Sequence, residues 1–125
     1  MTDELIPGDV RDFILRHIDS VAQLEALLLL RANSQESWSV EQTAKRLYMD
    51  QQEIAEVLAR LRADGFLTVS EGVYRYDCAT PELRELLDRV AGVYSRQLIP
   101  VTNMIHAKPR RIREFADAFK FRKDR

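Results

Sequence analysis

The chain is poor in the residues that build covalent cross-links, metal centres and phosphate-binding loops. Its single cysteine, Cys78, excludes an internal disulfide framework and a four-thiolate zinc site. Four scattered glycines in 125 residues leave no glycine-rich loop to cradle a phosphate. The two histidines, His17 and His106, are far apart, so no side chain is paired in sequence with a base that would activate it as a nucleophile. The longest unbroken apolar run, Ala26 to Leu30, is too short to cross a bilayer. The opening Met1-Thr2-Asp3-Glu4 is acidic and lacks the basic-then-apolar pattern of a secretory signal, so the cytoplasm is the expected compartment. These gaps argue against an enzyme, and no cofactor or metal is expected.

What remains describes one ordinary globular domain, with 46% apolar residues for a core and 31% charged residues. The formal net charge is only −1, but it is unevenly spread. Residues 1–105 carry 11 Lys/Arg against 17 Asp/Glu, whereas residues 106–125 carry eight Lys/Arg against three acids. An acidic body with a basic tail suggests either that the tail binds something anionic or that it folds on the acidic body of its own or a second copy.

Periodicity places the elements. Val10, Phe13, Ile14, His17 and Ile18 recur at helical spacing over 9–18, after a leader ending in Pro7-Gly8. A second helix over 21–32, capped by Asp19 or Ser20, is apolar around most of its girth, so it is buried or at an interface. Ser39 can cap a short helix over 40–47, and Asp50 a helix over 51–63 whose Ile54, Val57, Leu58 and Leu61 form one apolar face. Gly65 suits the left-handed position that ends it. Two strands follow, over 66–70 and 73–76, joined by the tight turn Glu71-Gly72. Thr80-Pro81-Glu82 then starts a helix running to about Leu98, which Pro100 ends or kinks. Residues 101–107 are expected to add a turn, and 110–121 read as a final amphipathic helix. Trp38 and Tyr48 are expected in the core, and Tyr74 and Tyr76, at alternate positions of their strand, as packing residues.

Helix, short helix, tight break, helix, glycine, hairpin, helix is the element order of a winged helix-turn-helix. The segment Leu58-Ala59-Arg60-Leu61-Arg62-Ala63-Asp64-Gly65-Phe66-Leu67 resembles the end of the recognition helix and the first wing strand of bacterial winged-helix transcriptional regulators, a likeness covering about residues 20–78. The ending Phe115-Ala116-Asp117-Ala118-Phe119-Lys120-Phe121-Arg122-Lys123 is similar to that of a group of small bacterial winged-helix proteins, a likeness that carries no established biochemical role. The expected class is therefore mainly α with a small β-hairpin, a winged helix-turn-helix plus N- and C-terminal helices. Residues 1–19 form a leader and short helix, 20–78 the winged-helix domain, 79–105 a helix for dimerisation, and 106–125 a basic amphipathic tail.

The resemblance implies binding of double-stranded DNA. On the 51–63 helix, Gln51 and Gln52 suit adenine edges in the major groove, and Arg60 bases or phosphates. Lys45, Arg46 and Arg75 are the candidates for the phosphate backbone. Against this, Glu53 and Glu56 lie on the half of the helix that would approach the duplex, and acids outnumber bases over 39–76. The tail is the other candidate surface. Lys108, Arg110, Arg111, Arg113, Lys120, Arg122 and Lys123 surround a stripe that includes Phe115 and Phe119. A basic amphipathic helix of this kind grips phosphate, docks in a protein groove or lies on an anionic membrane.

Leu83, Leu87, Val90, Tyr94, Leu98, Val101 and Ile105 follow spacings of 4, 3, 4, 4, 3 and 4, close to a heptad stripe that Pro100 interrupts. A homodimer through 21–32 and 81–105 is the expected assembly, and a helix folded back on its own domain is the alternative. Two functions are therefore weighed. One is a homodimeric DNA-binding transcriptional regulator. The other is a non-catalytic interaction module of the same fold whose tail docks on a protein or an anionic membrane. Cys78 is either a redox sensor or a buried structural thiol.

Overall fold

The computed structural model describes residues 6–107; the expected tail helix and its basic and aromatic candidates, Lys108 through Lys123, lie outside the described residues. The chain is mainly α with a small antiparallel sheet. The described elements run α1 (Gly8–His17), α2 (Val21–Ala32), β1 (Trp38–Ser39), α3 (Val40–Leu47), α4 (Gln51–Ala63), β2 (Leu67–Ser70), β3 (Val73–Tyr76) and α5 (Pro81–Arg96). A further helix, α6, occupies 98–107. The residues group into two compact units, one of 6–21 with 93–107 and one of 22–92.

In the 22–92 unit the helix ends are set by local chemistry. Ser39 and Gln42 form a reciprocal capping box, with Gln42 N–H donating to Ser39 Oγ at 3.0 Å and Ser39 N–H to Gln42 Oε1 at 2.9 Å. Asp50 caps α4 by accepting from Glu53 N–H at 3.1 Å. The far end of α4 is a Schellman motif: Phe66 N–H donates to Leu61 C=O and Gly65 N–H to Arg62 C=O, with Gly65 at φ +93°. Leu61 and Phe66, the hydrophobic pair of that motif, are both fully buried. Thr80 Oγ1 accepts from Leu83 N–H at 3.1 Å to start α5.

The sheet order is β1-β3-β2. Trp38 pairs with Tyr74 and Leu67 with Tyr76, all antiparallel, and the β2–β3 turn places Glu71 and Gly72 both at positive φ, as a two-residue primed turn requires. Strand β1 was not among the expected elements. It is two residues long, and its partner lies on the far side of α3 and α4 in sequence, so no local pattern announces it. β2 begins at Leu67, one residue later than expected, because Phe66 is committed to the cap of α4. Contacts join α3 to α4, α4 to β2, and α3 to β1. The core takes Leu24, Leu27 and Leu30 from α2, Ile54, Leu58 and Leu61 from α4, and Leu87 and Val90 from α5, all fully buried. Arg31 links α2 to α5 through Nε and Nη2 donation to Asp88 Oδ1, at 3.0 and 2.8 Å.

In the other unit, Val10, Phe13 and Ile14 of α1 are buried, as are Val93, Tyr94, Val101 and Ile105. His17 stacks at a tilt beside Phe13, ring centroids 5.2 Å apart. The expectation of a mere turn after Pro100 is corrected: α5 ends at Arg96 and α6 covers 98–107. Gln97 N–H still donates to Val93 C=O, and the ladder resumes with Val101 N–H to Gln97 C=O. Pro100 falls in the first turn of α6, where its missing donor and fixed φ are tolerated.

Candidate functional site

Helix α4 turns its apolar side inward and leaves Gln51, Gln52, Glu53, Glu56, Ala59, Arg60, Arg62 and Ala63 exposed. The preceding turn is closed by Tyr48, which adopts the left-handed conformation at φ 58°. Its N–H donates to Lys45 C=O and the next N–H, of Met49, to Ala44 C=O, the same pair of hydrogen bonds that Gly65 and Phe66 make after α4. The expectation that Tyr48 belongs to the core is overturned: it is 95% exposed. A side chain on a left-handed residue at a helix end is carried outward from the turn it closes. Trp38, by contrast, is buried as expected.

The basic candidates divide into two groups. Arg46 lies over the Trp38 ring at 5.9 Å from its centroid, Arg60 pairs with Asp64 at 3.3 Å along α4, and Arg75 Nε donates to the Ser34 carbonyl at 3.2 Å. All three are exposed, yet each guanidinium is held by a neighbour in the fold. Lys45, Gln51 and Gln52 are exposed at the junction of α3 and α4. The fold thus brings Lys45, Tyr48, Gln51 and Gln52 to one end of the helix pair. Arg75 is on the hairpin and is tied to the loop after α2. Glu53 and Glu56 share the exposed side of α4. Sequence reasoning missed Tyr48; its place directly between the last turn of α3 and the cap Asp50 was the available signal.

Much of the expected self-association stripe is covered within one chain. Leu87, Val90, Tyr94, Val101 and Ile105 are buried, Leu83 is half-buried, and Leu98 and Ile99 stay exposed at 49% and 64%. In α2, Leu24, Ala26, Leu27 and Leu30 are likewise buried.

Cys78 is half-buried, and desolvation pushes its thiol above the ordinary value, with the neighbouring Tyr76 hydroxyl and Arg84 pulling the other way. Desolvation also pushes the Tyr76 hydroxyl up, with the Cys78 thiol adding to the rise. The Tyr76 hydroxyl is buried with no hydrogen-bond partner of good geometry, so the thiol beside it is a weak polar neighbour and not a full acceptor. A thiol held protonated is a poor nucleophile and a poor redox sensor. Among the described residues, no cluster of three His, Cys, Asp or Glu could hold a metal ion, and no helix is long and apolar enough to cross a membrane. No family model, curated protein or solved structure matches this chain.

Proposed function

We propose that the 22–92 unit is a winged helix-turn-helix and that the chain is a homodimeric transcriptional regulator binding double-stranded DNA. The observation that carries this reading is the arrangement around α4. A helix pair with a tight left-handed turn is followed by a two-stranded hairpin, and α4 presents its N-terminal turn, with Gln51 and Gln52, outside the core. Such a helix enters the major groove by that end. Gln52 and Gln51 would read base edges, Lys45 and Tyr48 would meet flanking phosphates, and the wing would place Arg75 near the backbone. Dimerisation would use the apolar side chains left outside, Leu98 and Ile99 among them.

One observation favours a second reading, a module of the same fold that grips a protein. Arg46, Arg60 and Arg75 already have partners in the fold, and Glu53 and Glu56 stand on the exposed side of α4. A polyanion gains most from cations that are free to release its counterions.

Selection from random-sequence duplexes by the full chain separates the two. The DNA reading expects a short inverted repeat in the bound pool. Gln52→Ala then relaxes the preference at one base position, and Lys45→Ala weakens all sequences alike while lowering the salt slope by about one. Unenriched pools that are the same for wild type and both variants would leave the interaction module as the function.

A further inference from the structure

The loop after α2, the strands β2 and β3 and the first turn of α5 enclose an open cavity of about 360 Å³. It is lined by polar and charged residues, Arg75, Arg84, Asp77, Ser34, Gln35 and Thr68, beside the buried Tyr76. No aliphatic side chain lines it, so it offers nothing to an apolar ligand or an amphipathic helix. Its volume falls at the small end of the range of about 300–1,000 Å³ typical of small-molecule sites.

The two arginines are held in place with donors to spare. Arg84 lies over the Tyr76 ring, 5.6 Å from the centroid, and its guanidinium makes no hydrogen bond or ion pair with another described residue. Arg75 uses only Nε, on the Ser34 carbonyl, so its two terminal nitrogens keep their protons for a ligand. Guanidiniums already fixed by stacking or by one bond lose less freedom on binding than free side chains. Two such forks supply more donors than the two oxygens of a carboxylate use, and they match the oxygens and double charge of a phosphate monoester. Asp77 opposes a bare anion. It is an acceptor only, and therefore selects a ligand that also brings a donor.

We propose that this cavity binds a small phosphate monoester bearing hydroxyl groups, of the sugar-phosphate class. Arg75 and Arg84 take the phosphate and Asp77 accepts from a hydroxyl. The site shares Arg75 with the duplex-binding reading, and its other residues lie outside α3 and α4.

Amide NMR titrations of the full chain at constant ionic strength test it, with ribose 5-phosphate, inorganic phosphate and neutral ribose as probes. The amides of 34–35, 68, 75–77 and 84 should shift together and saturate, with ribose 5-phosphate binding more tightly than inorganic phosphate. Arg84→Gln, at an exposed helix position, should keep the wild-type spectrum and weaken ribose 5-phosphate about tenfold or more. Asp77→Asn should tighten inorganic phosphate and erase the preference for the sugar phosphate. Absence of saturable shifts at these amides would overturn the proposal, as would affinity unchanged in Arg84→Gln. So would saturation by a DNA duplex but by neither small phosphate, which would make the cavity a contact for the nucleic-acid backbone.

Discussion

Tyr48 closes α3 at φ 58° while its ring stands 95% exposed. A Cβ disfavours that conformation by about 1 kcal/mol, and little packing offsets it. Tyr48→Gly should therefore leave stability unchanged or raise it by up to about 1 kcal/mol in urea unfolding. Gly65 is the converse. At φ +93° it serves the same kind of turn with no side chain, and Gly65→Ala should lower stability by about 1 kcal/mol or more. The cause is backbone strain, since an added Cβ would meet the Ala79 Cβ at an ordinary 3.5 Å. Leu58 is fully buried, and Leu58→Ala should cost about 2–5 kcal/mol. Burial raises the pKa values of both Tyr76 and Cys78, so the folded state holds their protons longer than the unfolded state does. Their contribution is fully present below the ordinary Cys range and is lost as pH climbs through the raised values. The urea midpoint should fall between about pH 8 and 10, less steeply in Cys78→Ser; an equal fall in that variant would remove Cys78 as a cause.

At the scale of elements, the helices of the 22–92 unit are stopped by named side chains, and those stops were legible. Ser39, Asp50, Gly65 and Thr80-Pro81 mark their boundaries in the sequence, which is why the bounds of α3 and α4 read off the chain agree with those of the fold. Ser39→Ala and Asp50→Ala should each cost about 1 kcal/mol, measured by thermal or urea unfolding. What escaped the sequence was non-local or tolerated. Strand β1 exists only through its pairing with β3, and the partner of Arg75 lies 41 residues away at Ser34. Pro100 reads as a helix terminator, yet in the first turn of α6 it costs little. Tyr48 reads as core by composition, because hydrophobic patterning says nothing about which residue must turn left-handed. The candidate interface was legible as residue types on α4. That three of its arginines are engaged within the fold was not.

At the scale of the molecule, an acidic body and a basic ending oppose one another within 125 residues. In the proposed regulator the two tasks would be separate: α4 would supply sequence preference, and the cations of 106–125 salt-sensitive affinity for any polyanion. Bulk DNA affinity is then a poor witness, because the ending alone would produce it. The direct measurement is residue-resolved: amide chemical shifts of the full chain on addition of a duplex taken from the selected pool, at near-physiological salt. If α4 reads DNA, the amides from Lys45 to Arg62, with the hairpin around Glu71, shift and saturate together. Shifts confined to 108–125, with α3 and α4 unmoved, would contradict the account and leave the 22–92 unit to a protein partner.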